Sequence, residues 1–368
     1  MRIVIATGIF PPDIGGPATY AKLLQDELPK KGVAVDIVTY GKAGISHRIP
    51  KGIKHVLFFL SCVRKAIGAE AIFAQDTTSA GVPAMLAAKL LRKKFIVRTP
   101  GDCVWEQCVQ RFGVQESIDE FQKKTYGWKV ELFRSLQNMV VNAADAVIAP
   151  SKYFAHLVKG WVKNPAKVTH IYNGIDINAI HDMAKDVSVK NESHVIVSAG
   201  RLVPWKGFSE LVEVIERLPI HWQLHIIGEG PEQAHIETQI QEKGLSERVR
   251  LFGRCTRKEL FEHVLGAKIF ALNTAFDSFS FQLVEVMALG TPIITTNIGN
   301  LPEIITHEKE GVLCDVNDIT AFVEGILRIE EDAAFRKLIT EQASKKSALF
   351  SIDQTVTSVY ALLQRVCE

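Results

Sequence analysis

Short apolar runs of three to six residues recur along this chain, each followed by a loop and a stretch with helical spacing, and they come in two series. The first lies at 3–7, 33–38, 71–74, 95–98 and 146–148; the second starts at 194–198 and continues at 223–227, 249–252, 269–272 and 292–295. Between the first two runs, Tyr20, Leu23, Leu24, Glu27 and Leu28 repeat with helical period and Gly32 ends the stretch. Strands that alternate with amphipathic helices build parallel sheets covered on both faces. Two such series predict an α/β chain of two Rossmann-like domains, 1–180 and 181–346, with a last helix in 347–368. The polar stretch 178–193, which lacks a strong apolar run, reads as the linker.

A chain of 368 residues is long enough for two cores, and 47% apolar with 23% charged residues is ordinary for a globular enzyme. The longest candidate apolar run, 56–63, is less than half of the ~18–20 residues a membrane span needs. Because the first residues already read as a strand, no leader peptide is expected. Six cysteines without a C-x-x-C pair suit reduced thiols, hence a cytoplasmic setting, better than disulfides or zinc. The net charge of +2 is unevenly spread: residues 1–180 hold 24 Lys/Arg against 14 Asp/Glu, residues 181–368 hold 19 against 27. The basic half suits an anionic membrane surface or an anionic acceptor; an unevenly charged solvated surface is the bland alternative.

The chemistry concentrates in Asp277-Ser278-Phe279-Ser280-Phe281-Gln282-Leu283-Val284-Glu285. One carboxylate lies in a loop after a strand, the other within an apolar helix. Loops at the carboxyl ends of strands in open α/β sheets bind ligands, and backbone N–H groups opening a helix suit phosphate. Upstream, Gly200-Arg201-Leu202-Val203-Pro204-Trp205-Lys206-Gly207 sets an Arg fork and a Lys point charge after another strand. Gly15-Gly16 follow the first strand without completing Gly-x-Gly-x-x-Gly or a P-loop, which favours neither NAD nor ATP.

These segments, with Asn173-Gly174-Ile175-Asp176 and Gly299-Asn300-Leu301-Pro302-Glu303, occur in the order found in retaining glycosyltransferases of family 4. The chain resembles that family through its E-x7-E signature. The resemblance implies the GT-B fold, in which two Rossmann-like domains face each other across a cleft and the last helix crosses back to the first domain. It also implies donor contacts from Gly15, Gly16, Arg201, Lys206, Arg254, Asp277, Phe279, Ser280, Phe281, Gln282 and Glu285. In it, Arg201 and Lys206 hold the diphosphate and Glu285 the ribose hydroxyls. Asp277 stands where the family has Glu, against the donor sugar, and Ser278 and Ser280 stand where it usually has Gly. A His that ends a mid-domain strand in many relatives is missing. Asp102 occupies roughly that place as a candidate catalytic group beside Asp277, Arg201 and Lys206, and a turn residue is its plain alternative. Trp105 and Glu106 are candidates for the acceptor side, with Trp105 equally readable as core.

The expected activity is retaining transfer of a hexose from a UDP- or GDP-sugar to a hydroxyl of a glycan or lipid-linked acceptor, in cell-surface polysaccharide or glycolipid synthesis. No metal and no further cofactor is expected, since two cations can serve the leaving diphosphate and no Asp-x-Asp is present. No nucleic-acid partner is expected, and peripheral contact with the inner face of the membrane through the basic domain is. A binding scaffold with reduced activity, or a GT-B-like sugar-nucleotide epimerase, remains the alternative.

Overall fold

The computed structural model describes residues 1–13, 15–40, 50–187 and 194–368. It separates into two compact units, Met1–Gly174 with Ile352–Glu368, and Ile175–Ser351. The units thus divide at 174/175 and 351/352 rather than at 180/181 and 346/347. The expected linker 178–193 is half replaced by structure. Asp176 accepts from Ala179 N and starts a helix, Ile177–Lys185, whose Ile180 is buried. Residues 188–193 lie outside the described residues.

Among the described residues the N-terminal unit holds one six-stranded parallel sheet. Its strands are β1 (Arg2–Thr7), β2 (Ala34–Thr39), β3 (Ala71–Ala74), β4 (Lys94–Arg98), β5 (Ala146–Ala149) and β6 (Val168–His170), in the order β2-β1-β3-β4-β5-β6. On one face Ile3, Ile5, Phe73, Ile96 and Ile148 pack with Tyr20, Leu24 and Leu28 and with Val356, Val359 and Leu363 of the Ile352–Cys367 helix. The chain's last helix therefore completes the core of its first unit.

The second unit holds β7 (Val195–Ala199), β8 (Gln223–Ile227), β9 (Val249–Gly253), β10 (Ile269–Leu272), β11 (Ile293–Thr296) and β12 (Val312–Cys314), again parallel, in the order β12-β11-β10-β7-β8-β9. Each sheet reverses direction once, between β1 and β3 in the first and between β7 and β10 in the second. Open α/β sheets bind ligands outside the carboxyl ends of the strands at such a point. β6 and β12 escaped the sequence reading because each is three residues long and lies at a sheet edge, where pairing supplies what pattern does not.

Candidate functional site

In the C-terminal unit, the loops after β7 and β10 meet at the reversal point. After β7 the chain passes Gly200-Arg201-Leu202-Val203, makes a short 3-10 turn, Pro204–Lys206, and enters the Phe208–Arg217 helix through Gly207. Gly207 has φ +62°, and a Cβ there would lie 1.9 Å from the Asn273 carbonyl at the end of β10. Only glycine allows that approach. Two bonds to the Trp205 carbonyl, from Ala275 N at 2.8 Å and Thr274 Oγ1 at 3.0 Å, fasten the loops together. The result is a contact between two predicted site residues: Lys206 Nζ donates to Asp277 Oδ2 at 2.8 Å.

A third loop joins them. Gly228 and Gly230 follow β8, and a Cβ on either would fall within 1.8–2.1 Å of the Gly200 or Leu202 carbonyl. Gly200 N and Leu202 N bond Ile227 O and Glu229 O at 2.9 and 3.0 Å, so the backbone after β7 is held against that after β8. Arg201 leaves this rigid stretch as an exposed side chain. Arg254, after the Gly253 turn of β9, is exposed at the same edge of the sheet.

Ser280 is buried and caps the Phe281–Leu289 helix, its hydroxyl accepting from Leu283 N. The first N–H groups of that helix, at Phe281 and Gln282, lie beyond the reach of intrahelical acceptors and can receive an anion. Phe279 is buried in edge contacts with Phe281 and Phe350, and its N–H reaches Asp277 Oδ1 at 3.4 Å. Its ring is therefore packing; only its backbone can serve a ligand.

Glu285 sits one turn into the helix with a side chain 17% exposed, and Arg257 Nη2 donates to its Oε1 at 2.6 Å. Burial raises the Glu285 carboxyl above the usual range, while Arg257 pulls the other way. Arg257 was not foreseen: it lies 28 positions upstream, at the start of a different helix, with no pattern linking the two.

The candidates of the N-terminal unit form no single constellation. Gly15, with φ 153°, precedes the Gly16–Glu27 helix, whose N-terminus is open backbone. Asp102 is 1% exposed and is a helix cap. Its carboxylate accepts from Val104 N and Trp105 N at 3.1 Å, Gln122 Nε2 at 2.8 Å and Gln137 Nε2 at 3.3 Å. Burial raises its pKa against those bonds. The turn reading of Asp102 describes its contacts, and little acceptor capacity is left for a substrate. Trp105 is 3% exposed with its indole N–H on the Glu116 carbonyl, so it packs in the core rather than offering a ring to an acceptor. Glu106, in the first turn of the same helix, is partly exposed.

The groups best placed to hold a metal ion among the described residues lie elsewhere. His194, His221 and Glu330 bring their ligand atoms within 4.8 Å of one another, before β7 and β8 and late in the Ile319–Glu331 helix. That is the opposite edge of the sheet from Lys206 and Asp277. No helix among the described residues is long and apolar enough to cross a membrane.

Two parallel sheets of this order with the reversal-point site define the GT-B class of glycosyltransferase folds. The model for glycosyl transferases group 1 matches residues 180–346 and that for glycosyltransferase family 4 matches 14–179. This chain belongs to the family 4 glycosyltransferases. An uncharacterized glycosyltransferase of Methanocaldococcus jannaschii is 24% identical over 94% of this chain and 93% of its own length. A Campylobacter jejuni N-acetylgalactosaminyltransferase acting on a diphospho-undecaprenol-linked sugar is 26% identical, over 62% of each chain. Among solved structures, Anabaena HepE in complex with UDP and glucose superimposes with TM-score 0.77 at 19% identity, covering 99% of this chain and all of its own.

Proposed function

We propose that the chain transfers a hexose, with retention, from a UDP- or GDP-sugar to a hydroxyl of a glycan or lipid-linked acceptor, without a metal ion. The observation that carries this reading is the meeting of Lys206, Asp277 and the Phe281–Leu289 helix N-terminus at the reversal of the second sheet. Departure of a nucleoside diphosphate places charge on its β-phosphate, and Lys206, Arg201 and the N–H groups of Phe281 and Gln282 are the positive groups at that place. Glu285 accepts the ribose hydroxyls from its largely apolar helix. Asp277 faces the donor sugar and holds Lys206. With no enzyme nucleophile assigned, the acceptor attacks on the face the diphosphate leaves, and a donor phosphate oxygen takes its proton. Rate then comes from positioning and charge stabilisation.

HepE binding UDP and glucose supports a nucleotide-sugar donor, and the undecaprenol-linked substrate of the Campylobacter relative supports a lipid-linked acceptor in surface-glycan synthesis. The surface of the N-terminal unit fits that acceptor. A groove of about 1100 Å³, lined by Val56, Phe59, Leu86, Leu90, Phe112 and Phe133, lies in the basic half of the chain. This pairing of apolar and basic surface supports contact with an anionic bilayer at its cytoplasmic face.

The test is hydrolysis of a panel of UDP-, GDP- and ADP-hexoses without acceptor, followed by NMR of the anomer made with acceptor. Release of one nucleoside diphosphate and a product with the donor's anomeric configuration supports the reading. Donor binding without any release leaves the scaffold reading standing, and C2 inversion of the free donor leaves the epimerase.

A further inference from the structure

Arg98, the last residue of β4, is 1% exposed and has no carboxylate partner among the described residues. Nη2 donates to Asn173 Oδ1 at 2.7 Å and the guanidinium stacks on the Tyr20 ring at 4.1 Å, but Nε and Nη1 have no hydrogen-bond partner. A buried cation left in this way is costly. Burial pushes Arg98 down to about 10 and the Tyr20 phenol up to about 12.

Arg98 is not isolated in this. Ala6 pairs with Ala74, and Ala74 with Val97, in register. One step on, Thr7, Gln75 and Arg98 form a row across β1, β3 and β4, on the face that carries Ile3, Ile5, Phe73 and Ile96. Thr7 bonds the Ile9 carbonyl. Gln75, 0% exposed, has neither side-chain atom partnered, and the Tyr20 hydroxyl has none. The unsatisfied groups are mostly donors: the Arg98 Nε and Nη1, the Gln75 amide nitrogen and the Tyr20 hydroxyl. Buried polar groups left in this state call for an occupant. The row also lies at the β1/β3 reversal of the first sheet, where ligands of open α/β sheets bind.

We propose that Arg98, Gln75 and Tyr20 form an oxyanion subsite that receives a phosphate or carboxylate group of the acceptor. This rests on the reading that the N-terminal unit serves the acceptor, and it makes the acceptor an anionic sugar or a phosphate-bearing glycan. Arg98 supplies the planar fork that suits either oxyanion.

The experiment is thermal melting against inorganic phosphate and, separately, glucuronate, in a Lys206→Ala chain so that donor-site phosphate contacts are weakened. The parent should melt higher as the logarithm of one anion's concentration rises, by a few degrees per tenfold at most. A response to phosphate alone assigns a phosphorylated acceptor, and a response to glucuronate alone a carboxylated one. Arg98→Met should abolish the shift and, without anion, melt at or above the parent, because the unpaired buried charge is gone. Tyr20→Phe, which keeps the ring, should weaken the response, and it decides the matter if Arg98→Met does not fold. An unchanged shift in folded Arg98→Met or in Tyr20→Phe, or no shift with either anion in the parent, overturns the subsite. Nucleoside-diphosphate binding by Arg98→Met with native Lys206 reads out the donor assignment separately, and it should persist.

Discussion

Lys206 and Asp277, 71 residues apart in sequence, form an ion pair of 2.8 Å with side chains 15% and 18% exposed. An ammonium has three donors, so Lys206 can keep Asp277 and still offer hydrogens to a phosphate. Asp277 aims the cation through Oδ2, while its Oδ1 lies 3.4 Å from Phe279 N.

Lys206→Ala should lower kcat by roughly 10²–10³, the range seen when one group stabilising developing charge is removed. Asp277→Asn should lower kcat less than Lys206→Ala, because the amide still bonds the ammonium. Steady-state kinetics with a saturating donor checks both, and equal activity of Lys206→Ala and the parent would remove Lys206 from the diphosphate.

Glu285→Gln should weaken donor binding by roughly 10- to 150-fold, the loss of charge-assisted bonds worth ~1.5–3 kcal/mol. It should also stabilise the fold at neutral pH. The Glu285 carboxyl is raised in the folded state, so the folded chain holds this proton more tightly than the unfolded chain. Stability from that proton is present below the unfolded carboxylate range and is lost as pH rises through the folded value. The glutamine has no such loss. Denaturant melts at pH 4 and pH 7 should show the variant gaining on the parent as pH rises.

His225, buried beside Phe252 and His263, is pushed down to about 4 by burial. Its stabilising effect is complete above the ordinary value of 6.5 and is lost as pH falls through the folded value. Replacing it with Phe should flatten the acid limb of the stability curve between about 6.5 and 4, where the parent declines.

Gly207→Ala should destabilise the C-terminal unit by about 2–4 kcal/mol, since φ +62° and a Cβ 1.9 Å from the Asn273 carbonyl leave the loop nowhere to relax. The loops after β7 and β10 would part, so activity should fall even at temperatures where the variant stays folded.

Much of this is legible in the sequence. The strand–helix alternation set two parallel sheets, and the order of motifs brought Arg201, Lys206 and Asp277 onto loops, and Glu285 onto the helix that follows, at one end of the second sheet. What was missed has a common cause. β6 and β12 are three-residue edge strands whose existence depends on a neighbour, and the helix Ile177–Lys185 rests on a cap at Asp176 and a single buried Ile180 in a polar sequence. Arg257 reaches Glu285 from a separate helix, a tertiary fact with no local signature. Arg98 did have one: a lone charge closing the apolar run Phe95-Ile96-Val97. Asp102 and Trp105 each admit a plain alternative, a turn and a core residue, and their hydrogen bonds match those alternatives.

If, as proposed, Lys206, Arg201 and the Phe281 helix N-terminus supply the positive charge at the diphosphate, activity should survive exhaustive EDTA treatment. Turnover lost to EDTA and restored only by Mn²⁺ or Mg²⁺ would overturn the metal-free assignment.

The most direct test of the central claim, that the reversal point between β7 and β10 is the donor site, is calorimetric titration of UDP, GDP and ADP into the parent, Lys206→Ala and Glu285→Gln chains. The account predicts saturable one-to-one binding of at least one nucleotide, weakened tenfold or more by each substitution in chains that remain folded. Tight binding left untouched by both substitutions, or no binding of any nucleoside diphosphate, would contradict it.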